Sequence, residues 1–480
     1  MPHDIAESKG PTDPAGPTGR LATWVSQFEL EQAPETVIER AKYLILDGLA
    51  CALVGAHLPW SRRAVEAVLS VEGSGSSPII GWGRTTSGPA ACLLNGTFIQ
   101  GFELDDYHPL APLHSASLVI PSIVSTVHEL GTVTGSQFLA AAIAGFEVGP
   151  RVGLGLHGGQ MLSRGWHSGA VFGTHASAAA SAVLRDLDAA QVEDALGLAA
   201  TQSAGLMAAQ YEAMSKRMHH GFSARNGYYA AALAAHGYTG IKRVYEREYG
   251  GFMATFGEGH DPQPDQVAAD LGSRWHTEVI AFKAYAAMAG THAAIDCMLR
   301  LREQGLGAEA VDRVEAWVSH AVYHHGWWPP VRPLETIGAQ MNVGYSMAVA
   351  LVDGAALAAQ YTRERIDSDD VWNLLDRISV HHDETFDSRP NAGLFQTRVV
   401  VTTVDGSKLD VEVDGPTGGP GRPLSADAIR DKARSITADV IDAERWQTIE
   451  SMVMRLDGMD DVTPLLEALA RPVGSAGIEV

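Results

Sequence analysis

The sequence predicts a mainly α protein with a smaller α+β part: a large all-helical domain joined to an α+β lid domain. Three observations predict it. From Pro34 to about residue 260, apolar residues recur at three- and four-residue spacing with almost no strand signal. From Val314 the pattern turns to alternation, and a hairpin follows over 397–413. After the stretch GPTGGPGRP at 415–423, helical periodicity returns to the end of the chain. A length of 480 residues fits two domains better than one. The expected division is a disordered tail over 1–20, helical domain over 21–278, lid over 279–420, and a helical return over 421–480.

The N-terminal nineteen residues, MPHDIAESKGPTDPAGPTG, carry no apolar nucleus and read as disordered. Pro34 suits a first helical turn, and Val37, Ile38, Ala41, Leu44, Ile45 and Leu49 then share one face. Helices follow at 64–69, 90–98 and 118–130. Thr134 with Gln137 forms a capping box before a helix at 138–148. Small-residue helices are expected at 174–184, 189–207 and 224–235, and the segment 283–302 also reads as helix. Val314, Ala316 and Val318 alternate with Glu315, Trp317 and Ser319 as in a half-buried strand. A second strand is expected at 378–382. Two more, 397–403 and 408–413, meet around Asp405-Gly406. Ser425 caps a helix at 426–435, and 443–469 continues helical, packed back on the first domain.

Composition narrows the function. The net charge of −22 argues against a nucleic-acid partner and against an anionic membrane surface. An anionic substrate therefore needs a local cluster of His, Lys and Arg. Three widely spaced cysteines, Cys51, Cys92 and Cys297, exclude a disulfide scaffold and a thiolate zinc site. The N-terminus resembles neither a secretory signal nor a transit peptide, and no run reaches the ~18 apolar residues of a membrane span. The expected location is cytoplasmic.

The chemistry concentrates in GFELDDYHPLAPLHSAS at 101–117, where Glu103, Asp105, Asp106, His108 and His114 crowd together. Like charges this close drive pKa values apart, which suits proton chemistry. Pro109 and Pro112 break any helix there, so the cluster sits on a loop; a solvated loop whose Asp residues cap the next helix is the plainer alternative. His167 is flanked by Gly165 and Gly169 and preceded by Trp166, under which it could simply pack. YEAMSKRMHHGFSARN at 211–226 gathers Lys216, Arg217, His219, His220 and Arg225, a receiver for carboxylates or else a solvated basic face. Lys283 and His292 lie on an apolar segment. His324 and His325 precede Gly326-Trp327-Trp328, a motif that matches nothing familiar. There is no H-E-x-x-H, no G-x-S-x-G, and the glycines of 153–173 do not follow a strand in dinucleotide-binding order. Adjacent carboxylates on a proline-bearing loop are a weak metal signal. Cofactor-free acid–base chemistry on a small polyanion is what remains.

With those residues laid out, the chain resembles the MmgE/PrpD family from about Ala33 to Val473. The resemblance rests on ERAKYLILDG at 39–48, FELDDYH at 102–108, APLHSAS at 111–117 and GWHSGAVFG at 165–173. KRMHHGFSARNG at 216–227 and YGGF at 249–252 add to it. Within the family it is most similar to the fungal-type cis-aconitate decarboxylase branch, with a 2-methylcitrate dehydratase or related (de)hydratase as the alternative. The resemblance implies a helical domain from both chain ends, a lid, a site between them, a homodimer, a tricarboxylate substrate and no cofactor or metal. It places His114, His167, Lys216 and Lys283 at catalytic positions. Glu103, Asp106, Tyr107, Arg217, His220 and His292 are the expected substrate-binding residues. The animal decarboxylases depart from this pattern, with Asp at the position of Glu103, Thr near Tyr107, and a site His where Met288 aligns. The contributions of His292 and Tyr323 therefore stay open. On the residues alone, carboxylates beside His114 predict a raised pKa there, while burial near Trp166 predicts a lowered one at His167.

Overall fold

A computed structural model describes residues 9–389 and 395–478. The helical part opens with α1 (Pro17–Gln27), α2 (Glu35–Gly55) and α3 (Pro59–Val71), a small hairpin of β1 (Ser77–Ile79) and β2 (Arg84–Thr86), and α4 (Gly88–Ile99). It continues through α5 (Ala116–Leu130), α6 (Gly135–Gly155), α7 (Gly158–Ser163), α8 (Ser168–Val171), α9 (Gly173–Leu184), α10 (Ala189–Ala200), α11 (Ser215–Ala235) and α12 (Phe252–Phe256). The second part holds α13 (His292–Glu303), β3 (Val311–Val318), α14 (His320–Gly326), α15 (Thr336–Met341), α16 (Val343–Asp353), α17 (Arg363–Ile366), α18 (Asp369–Leu375), β4 (Ile378–His382) and α19 (Glu384–Asp387). It closes with β5 (Thr397–Thr403) and β6 (Lys408–Val413), and α20 (Ala426–Thr437), α21 (Ala443–Met454) and α22 (Thr463–Ala470) follow.

Small residues let the central helices pack closely. A Cβ on Gly145 would fall 2.5 Å from Val119, and one on Gly227 would fall 2.4 Å from the Thr174 carbonyl oxygen. These glycines set the approach of α6 and α11 to their neighbours. By itself α6 is long and apolar enough to cross a membrane, yet 94% of that window is buried inside the protein, as befits a core helix. The four-stranded sheet runs β4-β3-β5-β6, with β3 parallel to β4 and antiparallel to β5. Val314, Ala316 and Val318 all face inward, as the alternation predicts.

Several expectations change. The tail expected over 1–20 is already packed where description begins: Thr12 donates twice to Glu193, and α1 starts at Pro17. Residues 1–8 lie outside the described residues. The hairpin β1–β2 was missed because three-residue strands show too little alternation to register. The helix expected at 189–207 ends at Ala200, and the one expected from 224 begins at Ser215, so the basic cluster sits on the first turns of α11. The segment from Lys283 is open until a 3-10 turn at Ala289–Thr291, and its α-helix does not start before His292. Nor is 415–423 a free linker: the Thr417 amide and Arg422 both bond Asp296, and Phe282 N–H donates to the Gly418 carbonyl. The C-terminal helices do return: α20 packs on α2, where Lys432 pairs with Asp47 at 2.7 Å.

Candidate active site

The loop between α4 and α5 is pinned before it does any chemistry. Tyr107 and Ala281 exchange backbone hydrogen bonds of 2.9 and 2.8 Å. Lys432 of α20 donates to the Leu104 carbonyl at 2.6 Å. The Asp106 carboxylate accepts the Ser115 and Ala116 amides at 2.7 and 2.9 Å, which satisfies the open N-terminus of α5. That restraint turns Glu103 inward with φ +56, a left-handed conformation costly for any residue bearing a Cβ.

Glu103 is the hub of a buried cationic cluster. Its Oε1 accepts from Lys216 Nζ and, at 3.2 Å, from Arg217; its Oε2 accepts from Lys283 at 2.7 Å. Burial alone would raise its pKa, but Lys216, Lys283 and Arg217 together hold it well below the ordinary carboxylate range. Three cations against one firmly ionised carboxylate leave local positive charge inside an acidic protein. Arg217 is oriented in turn by Gln340, whose amide bonds the Phe102 and Ala286 carbonyls. Lys283 Nζ also lies 3.8 Å from Asp105. Burial and the neighbouring Asp106 and Glu103 push Asp105 up despite Lys283. With neither oxygen hydrogen-bonded among the described residues, Asp105 is the member of the Asp105–Asp106 pair that keeps its proton.

Above this cluster opens a cavity of roughly 630 Å3 between the helical and α+β parts. Glu103, Tyr107, His114, His167, Lys216 and His325 line it, with Met288 and Met341 on its apolar side. His114 Nδ1–H donates to the Asp106 carbonyl at 2.7 Å, which fixes the tautomer and leaves Nε2 as the free nitrogen. His220 stands behind, its Nδ1–H given to Ser117 Oγ at 2.7 Å while that hydroxyl donates to the His114 carbonyl.

The expected pKa of His114 is reversed. Burial and then Lys283 bring it down to about 3. The carboxylates that sequence places beside it are otherwise engaged: Glu103 by three cations, Asp106 by two amides, while Asp105, 3.5 Å away, is protonated. His167 is lowered as expected, by burial and then by His220 and His219.

Of the expected site residues, Glu103, Tyr107, His114, His167 and Lys216 line the cavity. Asp106 does not: it caps α5, the plainer alternative for this loop. Lys283, Arg217 and His220 lie one layer beneath, on Glu103 and Ser117. His292 faces away, its Nε2–H bonded to the Ala287 carbonyl at 3.1 Å. Tyr323 packs toward His324 and His382. His325, which sequence reading left unassigned, comes in from α14 on the face of Val322, three residues earlier; that spacing beside a buried residue was the available signal. Burial, then Lys216, lowers it to about 4. Among the described residues, no three His, Cys, Asp or Glu side chains are placed to hold a metal ion.

The comparisons place this two-part fold in one class. Residues 19–265 match the MmgE/PrpD N-terminal domain and residues 285–458 the MmgE/PrpD C-terminal domain. The chain belongs to the MmgE/PrpD family. It is 43% identical to a cis-aconitate decarboxylase-like protein of Aspergillus oryzae, over 94% of this chain and 97% of the relative. It is 41% identical to the cis-aconitate decarboxylase of Aspergillus terreus, over 96% of this chain and 97% of that one. The human cis-aconitate decarboxylase is 24% identical over 95% of each.

Proposed function

We propose that this cavity decarboxylates cis-aconitate to itaconate and CO2 by cofactor-free acid–base chemistry. The observation that carries the reading is the Lys216–Glu103–Lys283–Arg217 cluster beneath a cavity edged by His114, His167 and His325. Full-length identity to the Aspergillus terreus enzyme supports the same reaction.

Lys216 is the cluster's cavity-facing cation and receives a substrate carboxylate; Lys283 and Arg217 add long-range positive charge. The bond to the CH2-carboxylate breaks, CO2 leaves, and the electron pair spreads over the allyl system onto the adjoining carboxylate. Positive charge held in a buried site favours that dienolate. A proton delivered to the far allylic carbon completes itaconate. His114 is the proposed donor, on different grounds from those the sequence offers: its Nδ1–H is held, so any added proton sits on Nε2. In the empty cavity it is neutral, and a bound trianion raises its pKa again. His167 orients. A homodimer is proposed from the family; Tyr229, Leu233 and Tyr238, 42%, 38% and 62% exposed toward the end of α11 and beyond, support it and light scattering tests it. A cytoplasmic location is proposed with it.

Incubation with cis-aconitate, followed by mass spectrometry, is expected to show itaconate. Consumption of 2-methylcitrate with no itaconate from cis-aconitate would move the protein to the dehydratase branch.

A further inference from the structure

Decarboxylation consumes a proton. The cis-aconitate trianion and one H+ give the itaconate dianion and CO2: the C–C bond breaks and the proton bonds to carbon. The donor imidazole must therefore be reloaded from solvent at every turnover. While substrate fills the main cavity, it covers the side of His114 and His167 that opens there.

A second cavity of roughly 580 Å3 lies behind them, between the 202–215 segment and α11. Its mouth is open to solvent at Glu212, Ser215 and Phe222, all exposed. Gln202, Ser223, Arg225 and Asn226 add polar groups to a wall otherwise of small apolar residues, and His219 forms part of that wall. His219 and His167 form the partition: their ring centroids are 4.8 Å apart, one ring on each cavity. Each has a buried Nδ1 with no hydrogen-bond partner among the described residues. Unpaired nitrogens on neighbouring rings suit a proton passed over one bridging water. The array continues: His220 is 5.2 Å from His167 and 5.2 Å from His114. Gly169 makes space for it, since a Cβ there would fall 1.9 Å from His220 Nε2.

We propose that His219 carries solvent protons from the second cavity to His167, and so reloads the proton donor of the first. It touches no substrate and acts through His167. This rests on the decarboxylase reading, so the unsubstituted protein is first shown to release itaconate; failure there overturns both readings, whereas failure of the variants alone overturns only this one. His219→Phe keeps a ring and removes the proton carrier, and His219→Gln guards against a folding failure. Both are expected to lower kcat by roughly tenfold or more, with KM within about twofold. Imidazole added to the medium is expected to restore kcat. A merely structural role does not respond to imidazole. Unchanged kcat in both variants, or a loss that imidazole leaves in place, would overturn the proposal.

Discussion

Glu103→Gln tests the electrostatic design of the site. The carboxylate holds Lys283 at 2.7 Å, Arg217 at 3.2 Å and Lys216 closer still, and all four groups are buried. Gln matches the shape but removes the charge, and one of its two terminal atoms becomes a donor facing ammonium donors. Breaking a buried ion network from one side typically costs about 3–5 kcal/mol, because the partner charges stay buried and uncompensated. At about 2.1 cal/mol/K per residue, 480 residues unfold with an entropy near 1 kcal/mol/K, so Tm is expected to fall by about 3–5 °C. Freed cations should welcome an anion. A non-reacting tricarboxylate is therefore expected to raise Tm more in Glu103→Gln than in the unsubstituted protein, while turnover falls. Differential scanning calorimetry with and without the tricarboxylate reads both effects. An unchanged Tm, or an equal ligand shift in the two proteins, would show that Glu103 does not balance the substrate-binding charge.

The remaining tests are brief. Lys216→Ala is expected to lose about 2–4 kcal/mol of barrier stabilisation, roughly 10²–10³ in kcat, and Lys216→Arg somewhat less; near-full activity would make Lys216 a bystander. EDTA is expected to leave turnover unchanged, because lysines crowd the site imidazoles; a loss restored by Mg2+ or Zn2+ refutes this. Activity should fall as pH rises through the donor's pKa in the substrate complex, and His114→Gln should abolish turnover while His167→Gln keeps that alkaline limb; the opposite pattern reverses the two roles. Stability should fall on acidification. Burial holds His108, His114, His175 and His292 at about 3 in the folded state, so their stabilisation is complete above the unfolded pKa of about 6.5 and is lost as pH drops toward 3. Between pH 6.5 and 5.5 each costs about 1 kcal/mol, about 4 for the four. Asp105 and Asp106, raised by burial, act with the reverse sign, their stabilisation being lost as pH rises, but they are only two. Urea midpoints that do not move over that window would contradict the burial.

Periodicity located helices such as α3 and α20, which bury one face, while runs of small apolar residues marked core helices such as α6 and α9, buried nearly all round. The β5–β6 hairpin and β4 fall at the expected bounds, with Asp405 closing the turn through the Ser407 amide. The Thr134–Gln137 capping box forms as read. What sequence could not supply was direction. Asp105 and Asp106 are neighbours, yet one caps α5 and the other is buried against Lys283, a choice made by the Tyr107–Ala281 bridge from across the chain. Ala284, Ala286 and Ala287 favour a helix from Lys283; the contacts of Phe282 with Gly418 and of Gln340 with Ala286 hold the segment open instead. His325 carries only its spacing from Val322 as a signal, and its partners Lys216 and Glu103 lie more than a hundred residues away.

Net charge and site charge carry different information in this protein. A chain at −22 repels a trianion at long range, but salt screens that field within about 8 Å under physiological conditions. Close to the cavity the sign reverses: Arg164 stands at its edge, and Lys216 waits inside. Deeper, Lys283 and Arg217 are paired with Glu103, which compensates them in part. Full compensation would leave nothing to attract a carboxylate, and none would make the buried cations too costly to fold. Burial first, and that partial imbalance second, keep the site imidazoles neutral until an anion arrives. Substrate charge and donor proton thus enter as a linked pair, and the imidazoles that accept the proton border the cavity that accepts the charge.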